Sequence, residues 1–349
     1  MNRKTVFVIG AGASREVSLP TGLELKNTIA KLLDIRFPDG YNQKGGDYTI
    51  CEALRMFVRN KNGQNGDINP YLNEAWHIRD AMPNAISIDN FIDQQRDNEK
   101  IAFCGKLAIV KSILDAESKS KLYFDPYRTD KTINYSNIEN TWYTNFFKLI
   151  TENCTKDELK PRFEPITLII FNYDRCVEHY LFHTLQKHYK INETLAAELV
   201  KCIHIYHPYG SVGLLPWWQQ NDSMPFGQEP SAPQLLALTE KINTFTEGTD
   251  PNSSDIKDIK EHMAKASHLV FLGFAFHTLN MKLIQPSPTI EGFNVVRCYA
   301  TAFEVSEENK EVIKEKITHL YTSRSDVGVK ISNKKCCDFL SDFWLSLSF

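Results

Sequence analysis

Residues 4–22 read KTVFVIGAGASREVSLPTG, and the fold is decided there. The apolar run Val6-Phe7-Val8-Ile9 has the character of a buried strand, and it stops at Gly10-Ala11-Gly12-Ala13-Ser14. Two glycines remove side chains from a tight turn where the backbone must approach something closely. A helix starting just after them aims free N–H groups at an anion. Strand, glycine turn and helix together suggest an α/β protein that handles a phosphate compound. The helix is expected over about 21–34, with Leu23, Leu25, Ile29, Leu32 and Leu33 as its apolar face. Pro and Gly in FPDGYNQKGGD (37–47) then break it.

From about 37 to 160 no stretch has strand character. Helical patterns lie in YTICEALRMFVRN (48–60), in SIDNFIDQQRDNEKIAFCGKLAIVKSILDAE (87–117) and in NIENTWYTNFFKLITENC (137–154). The loop NKNGQNGDINP (60–70) divides the first two, and Ser87 is placed to cap the second, with Asn90 three residues on. Strand character returns at Ile166–Phe171, a continuous apolar run suited to a strand covered on both faces. A helix follows, then the short strand and Pro/Gly turn of KCIHIYHPYGSVG (201–213), then an irregular aromatic loop, LLPWWQQNDSMPFGQEPSAP (214–233). Beyond it, helices are expected in 255–266, 278–284, 306–321 and 336–347, and strands in HLVFLGF (268–274), FNVVRCYAT (293–301) and GVKIS (328–332). Alternating strands and helices predict an α/β, Rossmann-like, doubly wound and mostly parallel sheet. Its core is expected in 1–36 and 161–349, with a helical insertion over 37–160.

The 349 residues are 42% hydrophobic and 24% charged, enough for a full core. A net charge of −3 gives no general electrostatic case for nucleic acid, and the nearest basic cluster, KSKLYFDPYRTDK (119–131), has the character of a solvated loop. No apolar stretch has the length of a membrane span, and the run after Met1 is too short for a secretory signal, so a cytoplasmic location is expected. The eight cysteines contain no C-x-x-C pair, and a zinc site is not expected.

In a doubly wound sheet, ligands sit beyond the carboxyl ends of the strands. Those ends carry GAGAS (10–14), FNYD (171–174), HPYG (207–210) and GFAFHTLN (273–280), four clusters expected to converge on one crevice. The glycine turn departs from the dinucleotide fingerprint, which needs glycine where Arg15 stands, and no acidic residue follows at the end of a second strand. An ordinary nicotinamide dehydrogenase is therefore disfavoured. Asn172, at a buried strand end, suits orientation of a ligand hydroxyl or a water, whereas Asp174 suits a helix cap. His204 and His207 should point in different directions along their strand, leaving His207 at the mouth of the turn, where a general base sits. Gly273, Phe274, Phe276, His277 and Asn280 suit an adenosine moiety or core packing.

Taken together and in order, GAGAS…LPTG, SIDNFI, FNYDRCVE, YHPYGS and FLGFAFHTLN resemble the sirtuin-like domain of prokaryotic anti-phage NAD hydrolases. The resemblance implies that Asn172 and His207 are the catalytic pair. It implies that Gly10, Ala11, Gly12 and Ser14 hold the pyrophosphate of NAD, with Asp174, Gly273, Phe274 and Asn280 also on the nucleotide. The absence of C-x-x-C pairs sets the chain apart from zinc-bearing lysine deacylases and favours plain NAD cleavage. By analogy the resemblance also implies a homo-oligomer, activation by assembly or by a partner, and a HerA-type ATPase as that partner. A non-catalytic subunit that binds NAD or ADP-ribose is the alternative. The aromatic loop at Trp217-Trp218 is a candidate lid or assembly contact.

Overall fold

A computed structural model describes residues 3–63, 66–127, 131–219, 221–244, 247, 254–286, 297–321 and 327–349. Six strands form one sheet: β1 (Thr5–Ile9), β2 (Ile166–Ile170), β3 (His204–Tyr206), β4 (His268–Leu272), β5 (Arg297–Thr301) and β6 (Gly328–Ser332). Their order is β3-β2-β1-β4-β5-β6, and every pairing is parallel. The winding reverses between β1 and β4, the place where doubly wound sheets open a crevice. In register, Phe7 lies beside Leu168 on one side and Val270 on the other. The four residues 293–296, expected to begin the fifth strand, lie outside the described residues, as do 128–130 of the basic cluster.

Strand alternation sends side chains to two cores. Val6, Val8, Ile169, Leu269 and Phe271 face one; Phe7, Ile9, Leu168, Val270 and Leu272 face the other. The described elements between β1 and β2 are helical, and they divide between these cores. Helices Tyr48–Asn62, Asn69–Ala81, Ile88–Gln94 and Glu99–Glu117 supply Leu54, Ile78, Phe91 and Leu107 to the first. Helices Trp142–Thr151 and Leu159–Phe163 supply Trp142, Phe146 and Phe163 to the second. The inserted residues thus share both cores with the sheet. One buried ion pair reinforces this: Glu117, fully buried at the end of its helix, holds the guanidinium and backbone N–H of Arg175, just beyond β2.

Local chemistry sets the helix ends. The first long helix is Gly22–Leu32, and Glu24 accepts from both the N–H and the hydroxyl of Thr21, a reciprocal cap. Its buried face is Leu25, Ile29 and Leu33, whereas Leu23 is 65% exposed because it lies on the opposite side of the helix. The pattern over 87–117 is two helices, not one. Ser87 caps the first through the N–H of Asn90, and Asn98 starts the second by accepting from Lys100 and Ile101. Among the described residues no helix is long and apolar enough to cross a membrane.

Candidate functional site

Hydrogen bonds join four strand ends at the carboxyl edge of the sheet. Beyond β1, the buried Ser14 hydroxyl accepts from Nδ2 of Asn172, just beyond β2, at 2.9 Å. The backbone oxygen of Asn172 accepts from Nδ1 of His207, just beyond β3, at 3.1 Å. Nε2 of His207 meets Oε1 of Glu178 at 2.7 Å. Glu178 stands in the first turn of the helix Cys176–Tyr189, which follows β2. Ser14, Asn172, His207 and Glu178 therefore form one connected polar chain. Asp174 lies beside it, one residue ahead of the helix N-cap Arg175, and accepts from the N–H of Cys176; burial raises its carboxyl pKa.

His207 differs from the other perturbed histidines. Burial lowers His179, His183, His262, His268 and His277. Burial also pulls His207 down, but the Glu178 charge and the bonds to Glu178 and Asn172 outweigh it, and its pKa is raised. The geometry agrees. A carbonyl and a carboxylate only accept, so both ring nitrogens have acceptors before them, which suits the imidazolium. His204 points elsewhere, as its place in the strand requires: it is exposed, with its ring 4.5 Å from that of His262.

The β1–β4 junction is built from backbone. The N–H of Gly10 donates to Leu272 and that of Gly12 to Gly273, each at 3.0 Å, and Ala13 closes onto Gly10. A Cβ on Gly10 would meet Gly273 O at 2.6 Å, and one on Gly12 would meet it at 2.9 Å. Gly273 itself has φ +56°, and its Cβ would lie 2.1 Å from the nitrogen of Ala13. The close approach that these glycines permit is therefore that of one strand-end loop to another. A four-residue helical turn, Ala11–Ser14, follows directly.

Phe274 and Phe276 are buried and pack in the first core, with Phe274 5.1 Å from Phe171, ring centre to ring centre. The Asn280 amide oxygen accepts from the Tyr209 hydroxyl at 2.7 Å, tying the helix after β4 to the turn after β3. The SIDNFI element reaches the same edge, where Asp89 accepts from the Tyr173 hydroxyl.

A cleft of about 220 Å³ opens at the His207–Glu178 end of the polar chain, lined by those two residues with Ile205, Ser211, Leu214 and Trp218. Trp217 stacks almost parallel on Phe182 at 4.5 Å, while the amine of Lys201 donates to the Trp218 carbonyl. The aromatic loop therefore forms one wall of the cleft. Glu178 and Tyr209 escape a reading by sequence alone, although both lie within motifs that sequence marks: Glu178 closes FNYDRCVE, and Tyr209 stands in YHPYGS. Among the described residues no group of three or more His, Cys, Asp or Glu is placed to hold a metal ion. No protein-family model matches the chain, and no curated protein matches it significantly.

Proposed function

We propose that the chain is an NAD glycohydrolase that cleaves the nicotinamide–ribose bond to give nicotinamide and ADP-ribose, and that it acts by NAD depletion in anti-phage defence. The observation that carries this reading is the polar chain Ser14–Asn172–His207–Glu178 at the carboxyl edge of β1, β2 and β3. The ordered motif resemblance described above adds the substrate. Nicotinamide leaves the glycosidic carbon as a neutral base without protonation, so the transition state resembles an oxocarbenium ion. Water adds to that carbon and gives up one proton. The residues have to hold the ribose, place the water and take the proton.

Asn172 is assigned to the ribose or the water, and His207 to the proton. With both nitrogens engaged, His207 takes the water's proton only as neutral imidazole with Nε2 turned away from Glu178, 2.7 Å from it in this structure. The GAGAS turn contributes the hydroxyl of Ser14 and fixes it under Asn172. The N–H groups of Gly10 and Gly12 are engaged with the end of β4 and the glycine just after it, so a pyrophosphate placed here draws little from those two. A homo-oligomer, and a HerA-type ATPase as activating partner, belong to the same proposal, with low turnover by the chain alone. The engagement of both His207 nitrogens within the protein also fits the second reading, a subunit that binds NAD or ADP-ribose without cleaving it.

Chromatographic assay of nicotinamide release from NAD, with and without the neighbouring encoded protein, tests the proposal. Release by the wild type that is lost in Asn172→Ala and His207→Ala supports the hydrolase. NAD bound but never cleaved supports the binding subunit. High constitutive turnover by a monomer contradicts the proposed activation.

A further inference from the structure

Glu178 is only 7% exposed, yet one of its two carboxylate oxygens has no partner. Oε1 is held by His207, while Oε2 is buried and makes no hydrogen bond, although the residue lines the cleft beside His207. A buried acceptor without a donor is costly, and folded proteins rarely leave one without a reason. The groups around it sharpen the point. Ile205, Leu214 and Trp218 supply apolar walls, and the Ser211 hydroxyl is turned to the oxygen of Gly213. The Arg175 guanidinium is engaged by Glu117 and by the carbonyls of Met224 and Pro225. Neither Ser211 nor Arg175 donates to Oε2, and a ligand hydroxyl in the cleft is a donor of the right kind.

We propose that Glu178 is a ligand-binding residue whose Oε2 accepts a hydroxyl of a ribose seated in this cleft, while Oε1 positions His207. The inference rests on the NAD reading given above and names the contact that reading lacks. A carboxylate has no donor of its own and selects a hydroxyl, as carboxylates on ribose diols do at the edges of other doubly wound sheets. The volume, about 220 Å³, lies below the usual range for whole drug-sized ligands, so it suits one sugar rather than a dinucleotide. Because His207 shares the cleft, the sugar is the one next to the bond that breaks.

The test is calorimetric titration of the folded chain with ADP-ribose and with ADP, which lacks the distal ribose. In Glu178→Gln the ADP-ribose affinity is expected to fall roughly tenfold, the difference between a charged and a neutral acceptor, while the ADP affinity holds. Should that variant not fold, Glu178→Asp makes the same comparison, keeping the charge and withdrawing it by one methylene. ADP-ribose bound equally well by wild type and variant overturns the assignment and leaves the nucleotide reading standing. Wild type that binds ADP and ADP-ribose alike also overturns it. Wild type that binds neither nucleotide removes the NAD reading, and this inference with it.

Discussion

The β1–β4 junction and the β2–β3 junction sit side by side on the same edge of one sheet, and short motifs mark both in the sequence. They are built from different materials. At β1–β4, Gly10, Gly12 and Gly273 interlock through backbone, and Phe274 closes the core beneath. At β2–β3, the backbone oxygen of Asn172 and the side chains of His207 and Glu178 form one hydrogen-bonded chain, and a buried carboxylate oxygen beside a cleft keeps no partner. The first junction explains its glycines without a ligand. The second leaves chemistry unexplained until a ligand is supplied. A glycine reports only that something comes close; an unpartnered buried polar atom reports what kind of group it lacks.

The heaviest blow to this contrast would come from Gly273→Ala. A methyl group there overlaps backbone at 2.1 Å and adds left-handed strain, so unfolding free energy should drop by about 3 kcal/mol or more in a denaturant titration. Wild-type stability in that variant would mean that the interlock is not what holds the junction.

Acid comes next. His183, His262 and His268 are lowered by burial to about 4, so between about pH 6.5 and 4 the folded state binds fewer protons than the unfolded state. Stability should therefore fall as pH drops through that window, by about 1.4 kcal/mol per pH unit for each excluded proton. His207 runs the other way. Its raised pKa adds stability that is present below the ordinary histidine value and is lost as pH rises through the folded value. Denaturation at a series of pH values should show that alkaline-side loss in wild type and not in His207→Gln.

Ser14→Ala sharpens the second junction. It leaves the buried Asn172 amide without its acceptor and should cost about 1–2 kcal/mol in thermal or chemical melting. The smallest effect is a control for the glycines. Gly22 opens a helix, and a Cβ there meets nothing within 4 Å, so Gly22→Ala should stabilise by about 0.4–1 kcal/mol. A loss at Gly22 comparable to that at Gly273 would remove the distinction between them.

The sheet was legible because β1, β2 and β4 are mostly apolar, each with one polar residue, and are buried along their whole length. Helix Asn69–Ala81 was harder to see because it opens on Asn69-Pro70, a pair that reads as a turn although proline is tolerated in a first helical turn. Helix Ala232–Thr239 is hidden likewise, with Pro233 in its first turn at the end of a proline-rich loop. At the site, Asn172 and His207 stood out as polar groups at strand ends, and one hydrogen bond joins them. The partner of the glycines did not, because Gly12 and Gly273 lie far apart in the chain and only the sheet order makes them neighbours. The same holds for Glu178: its role depends on β3 bringing His207 against a helix that follows β2.

The most direct measurement is nicotinamide release from NAD by His207→Gln, assayed beside the wild type under conditions where the wild type turns over. Glutamine can still donate to Glu178 but takes up no proton, so the variant should stay folded and lose roughly 100-fold or more in turnover. A folded His207→Gln chain that releases nicotinamide at the wild-type rate would contradict the assignment of chemistry to the β2–β3 junction.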